Sequence, residues 1–166
     1  MDNFDETTRT LATSVLEHCR ALGWKAATAE SCTGGLIAGA LTEIAGSSDV
    51  VDRGFVTYSN EAKMQMLGVP TETLAAHGAV SEQTARAMAL GALANSDATV
   101  AVAVTGVAGP GGGSIEKPVG LVHFAAATPD SIVAEHRIFA GDRATVRLQT
   151  VLRALEMMLS RADEAH

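Results

Sequence analysis

Hydrophobic residues follow two alternating patterns along the chain. Apolar side chains three or four positions apart indicate an amphipathic helix, whereas short runs of apolar and β-branched residues indicate a strand. The helical pattern predicts helices at about 6–22, 35–44, 71–76 and 142–161, and two more that begin at the N-caps Ser59 and Ser81 and end before Pro70 and near Asn95. The strand pattern predicts strands at 25–29, 50–57, 98–104, 119–127 and 131–140.

The order of these elements predicts the fold class. Residues 98–104 form a continuous run of apolar and β-branched residues, which is typical of a central strand buried on both faces. The last two strands are separated only by residues 128–130, so we expect an antiparallel hairpin. Because the earlier strands alternate with helices, we predict an α/β fold: a three-layer α/β/α sandwich with a mixed, mostly parallel sheet and one antiparallel strand. The length suits a single domain over residues 1–166.

Composition narrows the possible partners and compartments. The formal net charge is −7, and the aromatic residues are four Phe, one Tyr and one Trp, which argues against a nucleic-acid-binding surface. No apolar run reaches about 18 residues and no basic, long-apolar N-terminal segment is present, so we expect neither a membrane span nor a signal peptide. The two cysteines and five histidines lack metal-ligand spacing, so no metal site is expected. The expected location is the cytoplasm.

The turn between the first predicted strand and the second predicted helix is the most informative stretch. It reads Ala-Glu-Ser-Cys-Thr-Gly-Gly over residues 29–35 and places Ser31 near a helix N-terminus, where free backbone N–H groups can bind an anion or a developing oxyanion. A serine there is a candidate nucleophile if a base lies nearby. It is also an ordinary helix-capping residue, and the stretch matches neither the Gly-x-Ser-x-Gly elbow nor the Ser-x-x-Lys motif. Taken alone, the turn leaves both interpretations open.

A second unusual loop follows the most apolar strand. Residues 105–114 read Thr-Gly-Val-Ala-Gly-Pro-Gly-Gly-Gly-Ser. Ligands of open α/β sheets bind beyond the carboxyl ends of the strands, and glycine lets the backbone approach a ligand closely. The loop lacks the Gly-Lys-Ser/Thr end of a P-loop, and a strand follows it instead of the helix that a dinucleotide-binding loop requires. It is therefore either a flexible connection or a ligand-contacting loop.

Six short motifs occur along the chain, of which the turn at 29–35 is the first. The others are Gly-Ser-Ser (46–48), Val-Thr-Tyr-Ser-Asn (56–60) with Lys63, Gly-Ala-Val-Ser (78–81), Val-Thr-Gly-Val-Ala-Gly-Pro-Gly-Gly (104–112) and Lys-Pro-Val-Gly (117–120). In this order they resemble the CinA C-terminal domain family, the nicotinamide-nucleotide amidohydrolases. The resemblance extends over residues 11–155, nearly the whole chain. Many family members carry a further N-terminal domain, and we expect this chain to act without one.

The resemblance implies a reaction and a set of site residues. Family members hydrolyse the carboxamide of nicotinamide mononucleotide (NMN) to nicotinic acid mononucleotide and ammonia, without a metal or an organic cofactor. Carried over position by position, Ser31 is the expected nucleophile, Lys63 the proton acceptor, and Tyr58 a proton relay or substrate contact. The residues expected to contact the substrate are Thr33, Gly34, Gly35, Ser48, Thr105, Gly106, Gly109 and Arg143. A homodimer is also expected from the resemblance.

The phosphate of NMN needs hydrogen-bond donors, and several segments offer them. Backbone N–H groups are available at the helix start after Thr33, in the turn around Ser48 and in the glycine-rich loop. Arg143 and Arg147 lie one helical turn apart at the start of the last predicted helix. They either form a solvated face or contact a phosphate or carboxylate, within the site or across a dimer.

A serine–lysine pair suits amide hydrolysis under one condition. The Lys63 amine accepts the Ser31 proton only when it is neutral, which requires desolvation or a cationic neighbour. Three alternatives stay open: a non-catalytic nucleotide-binding module of the same fold, hydrolysis of a different small amide, and a cysteine amidase that uses Cys32. The family is not uniformly active, and Arg53 stands where its pattern usually has a glycine.

Overall fold

The computed structural model describes residues 2–165, in which helices and strands follow the predicted order. The helices are α1 (Glu6–Leu22), α2 (Leu36–Thr42), α3 (Asn60–Leu67), α4 (Thr71–His77), α5 (Glu82–Ala94) and α6 (Arg143–Glu164). The strands are β1 (Ala26–Glu30), β2 (Val51–Val56), β3 (Val100–Gly106), β4 (Leu121–Ala127) and β5 (Ile132–Ile138). A short 3-10 helix, Ser47–Asp49, precedes β2.

Three helices differ from their predicted bounds, and among them α4 ends one residue later than predicted, at His77. The N-cap of α2 is Gly35, whose φ of 106° is left-handed, so the regular helix begins one residue later than predicted. Helix α6 continues to Glu164, beyond the predicted end at 161, because Ala162 still packs into the core. Among the helices of residues 2–165, none is both long and apolar enough to cross a membrane.

The five strands form one mixed sheet in the order β2-β1-β3-β4-β5. Strand β1 lies between β2 and β3 and runs parallel to both. Strand β4 is antiparallel to both of its neighbours, so β5 runs in the same direction as β3. The predicted hairpin and the single antiparallel strand are both confirmed. Because Glu30 at the end of β1 pairs with Val56 and Val104, the carboxyl ends of three parallel strands meet at one edge of the sheet.

Helices cover both faces of the sheet, and residue sizes differ between the faces. In β3, Val100, Val102 and Val104 belong to the core shared with α1, α2 and α6. Ala101 and Ala103 belong to the opposite core, which is shared with α3 and α5. All five side chains are fully buried. The predicted three-layer architecture is therefore confirmed, with most core residues on one face larger than alanine and most core residues on the other face alanine.

Small residues on the alanine-rich face allow a close helix contact. Gly91 of α5 packs against the backbone of Leu67, the last residue of α3, and a Cβ at Gly91 would overlap the Leu67 carbonyl oxygen. Glycine is therefore required at this crossing. The contact determines how close α3 comes to α5, and α3 carries Lys63.

Candidate active site

Ser31 directly follows β1, at the edge where the parallel strands end. Its N–H donates to the Val104 carbonyl of β3 (3.1 Å), and its carbonyl accepts from the Gly34 N–H (3.1 Å). Gly34 and Gly35 then take φ values of 59° and 106°, which side chains other than glycine rarely adopt, and α2 begins. Ser31 is thus held between the sheet and a helix, and its residue surface is 8% exposed.

Lys63 lies in the first turn of α3 and is 1% exposed. The helix begins here because Ser59 Oγ accepts the Ala62 N–H at 3.0 Å, shortly after β2 ends. Lys63 Nζ lies 3.0 Å from Ser31 Oγ and donates to the Thr57 carbonyl at 2.8 Å. The fold therefore joins two residues that are 32 positions apart in the chain.

The surroundings of the Lys63 amine favour its neutral form. Its hydrogen-bond partners, Ser31 Oγ and the Thr57 carbonyl, are both uncharged, and no carboxylate of residues 2–165 forms an ion pair with it. Burial lowers the pKa of Lys63 below its ordinary value, with a smaller opposing contribution from Cys32. A neutral amine at this distance can accept the hydroxyl proton, so the pair has the geometry of a nucleophile and its general base.

The pair opens into a cavity of about 250 Å³. The predicted site residues that line it are Ser31, Tyr58, Lys63, Thr105, Gly106 and Arg143. The other lining residues are Cys32, Asn60, Ala79, Val80 and Ala108. A wider groove of about 570 Å³ runs along α1 and α6, but no basic side chain of the described residues 2–165 lines it. The cavity beside Ser31 therefore combines a candidate nucleophile, a candidate base and a basic side chain in one lining.

Three residues of the cavity lining are exposed, namely Tyr58, Asn60 and Arg143, and Tyr58 is 64% exposed. Arg143 Nη1 donates to the Gly109 carbonyl at 2.8 Å, and Nη2 donates to Tyr58 Oη at 3.2 Å. These bonds connect the start of α6 to the glycine-rich loop and to the segment after β2. An exposed guanidinium beside a cavity is suited to bind a phosphate or carboxylate.

Five predicted substrate contacts lie outside the cavity lining: Thr33, Gly34, Gly35, Ser48 and Gly109. Thr33 is fully buried, and Gly109 borders the cavity only through its bond to Arg143. Ser48 lies in the 3-10 helix before β2, where the parallel strands begin, so it is at the opposite edge of the sheet from Ser31. The structure therefore does not bring Ser48 to the cavity.

Arg147, one helical turn after Arg143, contacts the backbone of the turn. Its Nε donates to the Cys32 carbonyl at 3.1 Å, and its Nη2 donates to the Thr33 carbonyl at 3.2 Å. Arg147 therefore does not belong to a solvated face. Cys32 itself is 6% exposed, and burial raises the pKa of its thiol to about 11. A protonated thiol is a poor nucleophile, which weakens the cysteine-amidase alternative.

Comparison with known proteins decides the family. The model of the CinA C-terminal domain matches residues 8–162. The chain belongs to the CinA C-terminal domain family. The resemblance deduced from the six motifs is thereby confirmed.

Relatives of different lengths share this CinA domain. The nicotinamide-nucleotide amidohydrolase PncC of Enterobacter agglomerans is 55% identical over 141 residues, which cover 84% of this chain and 86% of that protein. A competence-damage inducible protein of Caldicellulosiruptor bescii is also 55% identical, over 134 residues, but the match covers 81% of this chain and only 33% of that longer protein. The crystal structure of the competence/damage inducible protein CihA from Agrobacterium tumefaciens is 57% identical, with a TM-score of 0.94 over 96% of this chain and 98% of that one.

Sequence reasoning overlooked two groups of residues around this CinA site. Four residues line the cavity and lie within the recognised motifs, but no spacing rule predicts their contact with it: Asn60, Ala79, Val80 and Ala108. Glu30 is fully buried at the end of β1, directly before Ser31. A carboxylate that ends an otherwise alanine- and threonine-rich strand is the signal that could have drawn attention to Glu30.

Proposed function

We propose that this chain hydrolyses the carboxamide of NMN to nicotinic acid mononucleotide and ammonia, with Ser31 as nucleophile and Lys63 as general base. The observation that carries the proposal is the 3.0 Å contact between Ser31 Oγ and the buried amine of Lys63. The name of the Enterobacter agglomerans relative, nicotinamide-nucleotide amidohydrolase, supports the choice of substrate. The lowered pKa of Lys63 supports the choice of base.

In the first half of the proposed reaction, neutral Lys63 removes the proton from Ser31 Oγ as this oxygen attacks the carboxamide carbon. Backbone N–H groups of the turn after Ser31 stabilise the oxyanion of the tetrahedral intermediate. The Lys63 ammonium then gives its proton to the amide nitrogen. The C–N bond breaks, ammonia leaves, and the nicotinoyl group stays on Ser31 as an ester.

In the second half, a water molecule attacks the ester carbon while Lys63 accepts one of its protons. The bond between the acyl carbon and Ser31 Oγ breaks, and the proton returns to this oxygen. One water is consumed for each ammonia released. Lys63 alternates between neutral and charged forms in both halves, which requires a pKa below the ordinary lysine range.

Tyr58 and Thr105 complete the proposed site. Thr105 Oγ1 donates to the Ala79 carbonyl at 2.8 Å, which ties β3 to the segment before α5 across the cavity wall. Tyr58 Oη accepts from Arg143 and lies in the same cavity lining, so we assign it to substrate contact or proton relay. Gly106 follows Thr105 in the cavity lining, and a Cβ there would overlap Leu121 and Val122 of β4, so the packing of β4 requires glycine at this position.

Arg143 is the proposed contact for the substrate phosphate. Its hydrogen bonds to Gly109 and Tyr58 use one N–H of each terminal nitrogen, and a guanidinium has five N–H donors in all. Further donors therefore remain for an anion. Ser48 is left out of this assignment because of its place at the opposite edge of the sheet.

Ammonia release from NMN by the purified chain tests the proposal, with Ser31→Ala as the matched control and EDTA in a parallel sample. We expect release by the wild type with or without EDTA, and a loss of roughly 10³-fold or more in Ser31→Ala. The melting temperature of the variant should stay close to that of the wild type, because the substitution removes only one hydroxyl oxygen.

No release above the Ser31→Ala background would contradict the proposal. In that case, a rise in melting temperature with NMN would favour the nucleotide-binding module. The absence of any rise would favour hydrolysis of a different amide.

We further propose that residues 1–166 form one domain that assembles as a homodimer in the cytoplasm. A single sheet carries both cores, which supports one cooperative unit. Cys19 and Cys32 are both free and buried, which suits a reducing compartment.

The proposal of a homodimer rests on the family resemblance. Light scattering should give twice the 17.1 kDa chain mass, and a single chain mass would contradict it.

A further inference from the structure

Glu30 is a buried anion next to the nucleophile. Its side chain is fully buried, and it directly precedes Ser31 in the chain. One carboxylate oxygen accepts the Ile37 N–H at 2.8 Å, and the other accepts the Ala38 N–H at 3.0 Å. Both donors belong to the first turn of α2. The carboxylate therefore satisfies two of the four N–H groups that a helix N-terminus leaves unpaired, and its charge complements the helix dipole.

Two threonine hydroxyls complete the surroundings of the Glu30 carboxylate. Thr33 Oγ1 donates to Oε1 at 2.6 Å, and Thr28 Oγ1 lies 3.3 Å from Oε2. Thr33 belongs to the turn that contains Ser31, whereas Thr28 belongs to β1. Each carboxylate oxygen thus accepts one backbone and one side-chain hydrogen bond. Four donors compensate for burial of the charge, in the way that a stable buried carboxylate requires.

Because of this arrangement, the N-terminus of α2 is not free to bind a substrate phosphate. A helix start after a glycine turn is a common site for a substrate phosphate. Here the N–H groups of Ile37 and Ala38 already bind Glu30, so a phosphate at that place would face a carboxylate. The helix end is used to hold the turn of the nucleophile, and the substrate anion must bind elsewhere.

Backbone carbonyl groups of the same turn are also hydrogen-bonded. Arg147 of α6 donates to the carbonyls of Cys32 and Thr33, at 3.1 and 3.2 Å. The turn is therefore held from two sides. Glu30 binds N–H groups of α2, which follows the turn, and Arg147 binds carbonyl groups of the turn itself. Together these contacts leave Ser31 little freedom to move away from Lys63.

We propose that Glu30 is a positioning residue for Ser31: through Thr33 and the first turn of α2 it keeps the Ser31 hydroxyl at hydrogen-bonding distance from Lys63. The proposal rests on the proposed function, because it takes Ser31 as the nucleophile. A displacement of about 1 Å at a reacting atom can cost roughly 10²-fold in rate. Loosening the turn should therefore lower kcat more than it changes KM.

Two matched substitutions separate positioning from simple support of the fold. Thr33→Val and Thr28→Val each replace a hydroxyl by a methyl group of similar size and each remove one donor to Glu30. Only Thr33 connects Glu30 to the turn that contains Ser31. We expect Thr33→Val to lower kcat for NMN by roughly 10-fold or more with KM within about twofold, and Thr28→Val to keep kcat within about twofold of the wild type.

Two further variants sharpen the test. Thr33→Ser keeps the hydroxyl and should recover most of the rate that Thr33→Val loses. Glu30→Gln keeps the shape of the side chain but turns an NH₂ group toward the N–H of Ile37 or Ala38, so it should lower kcat further than Thr33→Val. If Glu30→Gln does not fold, the threonine variants still decide the question.

Three results would overturn the proposal: equal kcat losses in Thr33→Val and Thr28→Val, losses that follow the melting temperatures alone, or a rise in KM with kcat unchanged. The last result would mean that the α2 N-terminus binds substrate after all.

A fluorophosphonate probe keeps this test independent of the substrate. Its reaction with Ser31 forms a phosphorus–oxygen bond, releases fluoride and passes the serine proton to Lys63. If the wild type does not hydrolyse NMN, the proposed function fails, and the labelling rate then decides the role of Glu30. Labelling should be slower in Thr33→Val than in Thr28→Val, and equal rates would contradict the positioning role.

Discussion

The two sides of the Ser31 turn bury an ionisable side chain in different ways. On the α2 side, the Glu30 carboxylate has four hydrogen-bond donors, two of them backbone N–H groups. On the α3 side, the Lys63 amine has two uncharged partners and, within residues 2–165, no ion pair. Burial of a charge is costly unless partners compensate for it. The compensated group serves as scaffold, and the uncompensated amine is left ready to exchange a proton.

Replacement of Lys63 should cause the largest loss of turnover, because it removes the buried amine that has no compensating charge. Lys63→Met keeps an unbranched apolar stem but has no proton acceptor, so turnover of NMN should fall by about 10²- to 10⁴-fold. The melting temperature should stay the same or rise, because a buried amine without a counter-charge stabilises little. Ammonia release and a thermal melt on the same sample measure both effects.

Lys63→Arg is the matched control for Lys63→Met. It keeps a cation but cannot become neutral in a protein, so it should also be inactive. Near-normal turnover in either variant would contradict the role of Lys63 as base.

A smaller effect is expected from the helix contact that carries Lys63. Gly91→Ala places a methyl group on the Leu67 carbonyl, so α5 and α3 must separate. Overpacking of this kind costs about 1–3 kcal/mol of stability. The change should also lower kcat, because α3 positions Lys63. Urea unfolding and NMN turnover measure the two losses.

Gly39→Ala on α2 is the matched control for Gly91→Ala. An added Cβ there would lie 3.6 Å from the Phe4 ring, which is an ordinary contact. Since alanine favours a helix over glycine by about 1 kcal/mol, this variant should be as stable as the wild type or more so. Equal destabilisation by the two substitutions would show that the crossing at Gly91 is not the close contact that the structure indicates.

The smallest effect is expected at Cys32. Cys32→Ala removes a thiol whose pKa burial raises to about 11, and which therefore stays protonated near neutral pH. Turnover of NMN should change by less than about threefold, because Ser31 performs the attack. Loss of activity in Cys32→Ala together with retention in Ser31→Ala would reverse the assignment and restore the cysteine amidase.

Much of the fold could be predicted from hydrophobic periodicity. Helix α1 has its predicted bounds, and the hairpin of β4 and β5 was predicted from a short connection, which is four residues long (128–131) in the structure. The close crossing at Gly91 was not predicted, because it depends on which helix lies opposite α5. Local pattern determines elements, whereas the distances between elements arise only when they pack.

The sequence pattern predicted the Ser31 part of the site better than the Lys63 part. Ser31 stands out from its turn, but nothing near Lys63 in the sequence marks it as buried, and only the family resemblance pointed to it. Ser48 was expected near the substrate from a motif, yet it lies where the strands begin. Glu30 was overlooked because its donors come from α2, from the turn and from β1, which only the fold brings together.

A measured pKa for Lys63 is the most direct test of the proposed serine–lysine mechanism. A ¹³Cε chemical-shift titration of the folded wild type, assigned with Lys63→Met, should give a midpoint below the ordinary value of 10.5. Because the neutral amine is the base, kcat/KM for NMN should rise with pH through the same midpoint. A Lys63 midpoint at or above 10.5, or turnover that falls as this amine loses its proton, would contradict the mechanism.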